Sequence, residues 1–272
     1  VGEGGGELVK QLLRHTWDIP VPEIVGIHLT GAPKHGVGPM DVALTLVAAL
    51  FPNGFVKNRV MEFFGEGIAS LPVEFRNGID VMTTETACLS SIWQTDDAVR
   101  EYYRIHGREA AYEALAPLSI AYYDRLVELD LSEVVPMIAL PFHPSNAMPI
   151  AEFKQNAEAI LRELDAKVKE QYPKLSMPSL TEKLRGDGFH ADQGEIAGCA
   201  GGTYDNLCMA ANILSGKSIG DGAFTLNCYP GSMPAALALL RAGETDRLLS
   251  AGAVMRECFC GPCFGAGDTP SN

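Results

Sequence analysis

The chain has 272 residues, 47% hydrophobic and 20% charged, and its 34 acidic against 21 basic side chains give a formal net charge of −13. This describes a globular chain long enough for about two domains, and its negative balance argues against general affinity for nucleic acid or anionic membrane surfaces. The seven cysteines are odd in number and all but one lie beyond residue 198; with no signal peptide and no apolar run of transmembrane length, they point away from a disulfide framework and towards a reducing, cytoplasmic compartment.

The run Val1-Gly2-Glu3-Gly4-Gly5-Gly6 leads into a helix expected over residues 7–17. No strand precedes it, so the glycines fit no dinucleotide fingerprint and read as a plain turn. From residue 23 the pattern becomes α/β. Residues 24–29 read as a strand and 31–38 as a loop, and Pro39 at a first helical position opens a helix over 40–51. A strand over 59–64 ends at Gly65-Glu66-Gly67, and a helix over 72–87, a strand over 89–93 and an amphipathic helix over 96–105 follow. This alternation implies βαβ units and a largely parallel sheet covered on both faces. The Pro-rich run 141–149 marks a boundary on composition. Beyond it come a charged amphipathic helix over 151–171, a Pro-containing loop and a Gly/Asp-rich approach to Cys199. A helix over 204–214, a strand over 223–226, a helix over 233–240 and an apolar segment near Val254 complete the second unit.

That segment runs into Arg256-Glu257-Cys258-Phe259-Cys260-Gly261-Pro262-Cys263-Phe264-Gly265. Two thiols two residues apart, on a turn set by Gly and Pro, can face one metal, one iron–sulfur cluster or each other as a redox pair; spacing alone does not choose. Cys-Gly-Pro-Cys is also the thioredoxin tetrapeptide, but only nine residues follow Cys263, too few for the helix and strands that such a fold builds after it. Cys199, in Gly198-Cys199-Ala200-Gly201-Gly202-Thr203-Tyr204-Asp205-Asn206, sits where an apolar run breaks into a glycine-flanked turn before a helix that Thr203 or Asp205 can cap. A thiolate there is accessible and favoured by nearby backbone N–H groups. Cys258 lies too close to Cys260 to share its turn geometry, and Cys88, Cys208 and Cys228 sit in apolar runs; all four read as non-ligands. His15, His28, His35, His106, His143 and His190 are scattered without metal-site spacing, His190 being the nearest to Cys199.

Taken in order, Gly-Cys-Ala-Gly-Gly-Thr-Tyr-Asp-Asn, Cys228-Tyr229-Pro230-Gly231-Ser232 and Cys-Gly-Pro-Cys-Phe-Gly resemble three segments of the aconitase family. Gly38-Pro39-Met40-Asp41-Val42 resembles its Pro-Lys-Asp-Val helix start, and Thr83-Thr84-Glu85-Thr86-Ala87 stands where the family has Gly-Ala-Glu-Ile-Gly. The resemblance implies repeated three-layer α/β/α units with mostly parallel sheets, of the family's iron–sulfur domain type. It implies that Cys199, Cys260 and Cys263 ligate a [4Fe-4S] cluster and that Glu85 reaches its neighbourhood. It also implies a hydro-lyase (hydratase) that removes water from, and returns it to, a hydroxy-polycarboxylate. Residues 1–22 are then the tail of a preceding domain, 23–141 one α/β domain, and 142–272 a second that carries the cysteines. The expected partners are the substrate and the remaining domains of a longer protein: an N-terminal part and a C-terminal swivelling domain with the catalytic base. No membrane and no nucleic acid are expected. Two departures, Val81 at the family's active-site Asn and Ala200-Gly201-Gly202 in place of polar residues, keep open an alternative: an aconitase-like protein without catalysis, serving as an iron or oxidant sensor or as a binding partner.

Overall fold

The computed structural model describes residues 5–16, 19–186, 188–222 and 224–268. Helix α1 is Gly5–Arg14; Val1 to Gly4 of the glycine run, Trp17 of the expected first helix and Ala223 of the expected strand 223–226 lie outside the described residues. Next come β1 (Ile24–Thr30), α2 (Pro39–Leu50), β2 (Val60–Phe64), α3 (Val73–Asp80), β3 (Ser90–Trp93), α4 (Asp97–Ile105) and β4 (Arg125–Asp130). The four strands form a parallel sheet in the order β3-β2-β1-β4.

One face of this sheet is the main core. Val25, Ile27 and Leu29 of β1 and Met61 and Phe63 of β2 are fully buried against α2 residues Val42, Leu46 and Leu50, and alternation along each strand puts these side chains on one side. The other face, expected to be covered as well, carries Gly26 under the Tyr123 ring, His28 stacked on Phe64, and the exposed Leu126 and Ile92.

Local chemistry sets the element ends. Pro39 opens α2, and the Asp41 carboxylate accepts the Gly38 N–H at 2.7 Å and the Met137 N–H at 2.7 Å, tying that helix start to the strand that follows β4. The helix expected over 72–87 stops at Asp80 and resumes as a 3-10 turn, Thr83–Thr86. Thr83 Oγ1 donates to the Asp80 carbonyl at 2.8 Å and Thr86 Oγ1 to the Thr83 carbonyl at 2.6 Å, which offers the backbone an alternative to a continuous ladder. β4 was not expected: its Arg-Leu-Val-Glu-Leu-Asp alternation follows a long irregular stretch.

The hairpin β5 (Met137–Ala139) and β6 (Ala147–Pro149) leads into α5 (Ile150–Gln171), which bends at Asn156. A small pair, β7 (Leu184–Arg185) and β8 (Gly188–Phe189), precedes β9 (Gln193–Ile196). There follow α6 (Gly198–Gly201), α7 (Tyr204–Leu214), β10 (Thr225–Cys228), α8 (Met233–Ala242), α9 (Glu244–Ser250) and β11 (Val254–Met255). The last three strands make a second parallel sheet in the order β11-β10-β9. Leu207, Ala211, Cys228, Leu239 and Leu248 form its core. The α/β class with parallel sheets is therefore as expected. The two sheets are joined through α6, which packs on α2 and α3, and through Glu74 of α3, whose Oε2 accepts the Asp205 N–H at the start of α7 at 2.9 Å.

Candidate functional site

In an open parallel sheet, loops after the carboxyl ends of the strands are where ligands are received. The second sheet delivers one sequence-predicted motif from each strand end: β9 runs into Cys199, β10 into Tyr229-Pro230-Gly231-Ser232, and β11 towards Cys260 and Cys263.

The Cys199 turn is built on glycines for steric reasons. Gly198 has φ +75°, and a Cβ on it would stand 3.0 Å from Cys263 Sγ. Gly202 meets the Tyr229 carbonyl so closely that any Cβ would overlap it. The Gly231 N–H donates to the Gly202 carbonyl at 2.6 Å, and Asn206 Nδ2 donates to the Ala200 carbonyl at 3.0 Å. Thr203 caps α7, its Oγ1 accepting the Asn206 N–H at 3.4 Å, and Ser232 caps α8 through the Ala235 N–H at 3.3 Å. The second cysteine turn is the 3-10 segment Gly261–Phe264, closed by Gly265 at φ +78° and by the Ala266 N–H donating to the Gly261 carbonyl at 2.8 Å.

Cys199, Cys260 and Cys263 are all exposed thiols. Burial, then the neighbouring Cys260, Cys199 and Glu195, push the Cys263 thiol up. The Glu195 carboxyl is also raised, by burial and by the charge of Asp268, with Arg256 opposing. The structure thus brings the three expected cysteines into one neighbourhood. Among the described residues, no three His, Cys, Asp or Glu side chains are grouped as a metal-ion site. The ligands of one ion crowd a single point, whereas the cysteines of a cubane bind different irons and stand farther apart. Cys199 on one turn and Cys260 with Cys263 on the other, all accessible and with glycine at the closest approach, are a donor set that a cluster could take.

The other cysteines are placed differently. Cys228 is fully buried and its thiol is pushed up to about 11 by that burial. Cys88 Sγ donates to the Thr83 carbonyl at 3.3 Å, burial raises the Cys208 thiol, and Cys258 Sγ lies 3.7 Å from Met233 Sδ.

Glu85 lies on the 3-10 turn after α3. Its Oε2 is 3.8 Å from His143 Nε2, and among the described residues no hydrogen bond or ion pair joins it to the three cysteines. The His143 ring stacks on Phe51 at 3.9 Å and its Nδ1 is 3.0 Å from Ser145 Oγ. Sequence spacing could not single out this histidine, because it meets Glu85 only through the β5–β6 hairpin. Val81 ends α3. The His190 N–H donates to the Lys183 carbonyl at 2.8 Å. A cavity of about 470 Å³ lined by Asn77, Asp80, Trp93, Tyr102, His106 and Arg108 includes none of the cysteines.

Two parallel sheets, with turns carrying exposed cysteines at the carboxyl end of the second, define an α/β protein. The chain belongs to the aconitase family (aconitate hydratase), whose pattern it matches over residues 1–272. It is similar to the mitochondrial aconitate hydratase of Schizosaccharomyces pombe, 28% identical over 97% of this chain and 31% of the relative. It is also similar to that of Gracilaria gracilis, 27% identical over 97% of this chain and 32% of the relative. The chain therefore spans about a third of the length of these relatives. A solved structure, Thermococcus kodakaraensis aconitase X in its holo-form, aligns with 88% of this chain and 44% of its own at 11% identity and a TM-score of 0.42. The expectation of a cytoplasmic compartment is overturned by the relatives, which are mitochondrial by name; unpaired cysteines report a reducing environment and do not say which one.

Proposed function

We propose that this chain is the cluster-holding part of an aconitase-type hydro-lyase that dehydrates and rehydrates a hydroxy-polycarboxylate, in a mitochondrial setting like that of its relatives. The observation that carries the reading is the delivery of three exposed thiols to neighbouring turns at the ends of parallel strands, with Gly198 leaving space beside Cys263. Cys199, Cys260 and Cys263 would hold the [4Fe-4S] cluster. Three thiolates leave one iron without a protein ligand, so that the bound group supplies a Lewis acid for a substrate hydroxyl. The chain's own part is to fix the Cys199 turn through the Asn206 and Gly231 hydrogen bonds, to close the turn of Cys260 and Cys263 through the Ala266 N–H, and to offer a carboxylate. Glu85 can hold or release a proton at Oε2, with His143 as its partner and the Phe51 and Ser145 contacts orienting that ring. The same proposal divides the chain at residues 141–142, in the β5–β6 loop, into a lobe with Glu85 and a lobe with the cysteines, with residues 1–22 ending a preceding domain.

A second reading is favoured by Val81 and by Ala200-Gly201-Gly202, which put no polar side chain where the family has them: a cluster-bearing sensor or binding partner without turnover. A screen of hydroxy-polycarboxylates on the whole reconstituted protein, following the unsaturated product by ultraviolet absorbance, separates the two. Turnover that Glu85→Gln lowers about 100-fold at an unchanged cluster spectrum supports the hydro-lyase. A full cluster with no turnover on any of them supports the second reading.

A further inference from the structure

We propose that Tyr229, together with Asp268 and Arg256, is a clasp that positions the Cys199 turn against the turn carrying Cys260 and Cys263; its purpose rests on the cluster reading above, its geometry does not. Tyr229 follows β10 directly and is 4% exposed. Its main chain holds the first turn from both sides: its N–H donates to the Ile196 carbonyl at 2.8 Å, and its own carbonyl fills the space beside Gly202. Cys199 lies between those two residues. Its side chain holds the segment that leaves the second turn. The phenol donates to Asp268 Oδ2 at 2.5 Å, and its oxygen stands 3.2 Å from where a Cβ on Gly267 would be.

Asp268 is anchored in turn. Arg256 approaches it in a fork, Nε to Oδ2 at 2.8 Å and Nη2 to Oδ1 at 2.5 Å, and the Asp268 carbonyl accepts Gln193 Nε2 at 2.8 Å at the start of β9. The result is a closed ring of contacts: β9 to Tyr229, Tyr229 to Asp268, Asp268 to Arg256 after β11, and Asp268 back to β9. Hydrogen bonds to a charged carboxylate, one of them bidentate, are stronger and more directional than neutral ones. They fix the separation between two loops that the sheet alone would leave free to move. For ligands on different irons that separation decides whether a cluster fits, and outer partners of metal ligands typically change affinity by about 10- to 100-fold when lost.

The test uses the whole protein with Tyr229→Phe, which removes only the hydroxyl, and Asp268→Asn, which keeps the shape and removes the charge. Circular dichroism melts establish that each variant is folded, and where one fails to fold the other is read. In the cluster-free protein, bridging of Cys199 to Cys263 by a short bifunctional thiol reagent, measured on the linked peptide by mass spectrometry, is expected to slow about tenfold, while single alkylation of Cys260 stays unchanged. In the reconstituted protein, iron loss to a chelator is expected to speed up by about 10- to 100-fold. Unchanged bridging and unchanged iron loss in a folded variant would overturn the clasp. Should the unmodified protein take up no iron at all, the cluster reading fails, and bridging alone decides: slowing upholds the clasp and no slowing ends it.

Discussion

Seven cysteines occupy three chemical settings, and the setting decides the reactivity of each. Cys199, Cys260 and Cys263 are exposed; Cys88, Cys208 and Cys258 are half-buried against a carbonyl, a tyrosine and a thioether; Cys228 is fully buried. The thiolate is the reactive form. With its thiol pushed up to about 11, Cys228 is almost wholly protonated at pH 8 and shielded from reagent as well. Alkylation of the cluster-free native protein at that pH, followed by peptide mass spectrometry, is therefore expected to label Cys199, Cys260 and Cys263 at least about 100-fold faster than Cys228. Serine in place of any of Cys199, Cys260 or Cys263 is expected to prevent stable cluster formation on anaerobic reconstitution, and Cys258→Ser is not; loss of the cluster in Cys258→Ser alone would mean a different ligand set. The exposure of these three cysteines was legible because glycine and proline beside a thiol announce an exposed turn, whereas their grouping as ligands came from the family resemblance. Tyr229 and Asp268 could not. They meet only because β10 lies between β9 and β11, a pairing that no local spacing encodes, and the contact between Glu85 and His143 is hidden for the same reason.

At the scale of elements, turns and caps carry consequences that can be weighed. Gly202 has no room for a Cβ because the Tyr229 carbonyl occupies that space, and backbone cannot swing aside as a side chain can. Gly202→Ala is expected to cost about 1–3 kcal/mol in chemical denaturation and to disturb Cys199 bridging more than the packing of α2. Asp96 caps α4 through the Val99 N–H at 3.1 Å and takes both ends of the Arg76 guanidinium, itself 3% exposed. Burial raises the Asp96 carboxyl, but the hydrogen bonds from Arg76 and Val99 and the charge of Arg76 outweigh it and hold the group below its ordinary 3.8. A carboxyl depressed in the folded state contributes stability that is present above its unfolded pKa and is lost as pH falls through the folded one. Unfolding free energy is thus expected to decline below about pH 4 in the unmodified protein and to decline less steeply in Asp96→Asn, which also loses about 3 kcal/mol at neutral pH by leaving Arg76 buried without its counter-charge. Equal slopes in the two proteins would contradict the pairing. Most element positions were legible from periodicity. The break after α3 was not, because threonine hydroxyls competing for carbonyls look, as letters, like a continuing helix. β4 is not among the expected strands although its alternation is clear, since it follows a long stretch with no periodicity of its own.

For the whole molecule, two parallel sheets meet through α6 and through Glu74 at the start of α7, so the Cys199 turn leans on the helices of the first sheet. Burial, with the charge of Asp205 adding to it and the Asp205 N–H opposing, raises the Glu74 carboxyl. Stability from such a group is present below its unfolded pKa and is lost as pH rises through the folded one. Glu74→Gln, which keeps an acceptor for the Asp205 N–H, is therefore expected to raise the melting temperature at pH 7 relative to the unmodified protein and to leave it nearly unchanged near pH 4; a lower melting temperature at pH 7 would show that the carboxylate charge stabilises this junction. The class of fold was legible because strands and helices alternate at βαβ spacing, while the contact between the two sheets depends on residues more than a hundred positions apart.

The most direct measurement is the iron and acid-labile sulfide content of the anaerobically reconstituted whole protein, taken with its visible absorption spectrum. About four irons and four sulfides per chain with a broad thiolate-to-iron band is the expected result; no iron, or a single zinc in its place, would contradict the cluster and with it the hydro-lyase.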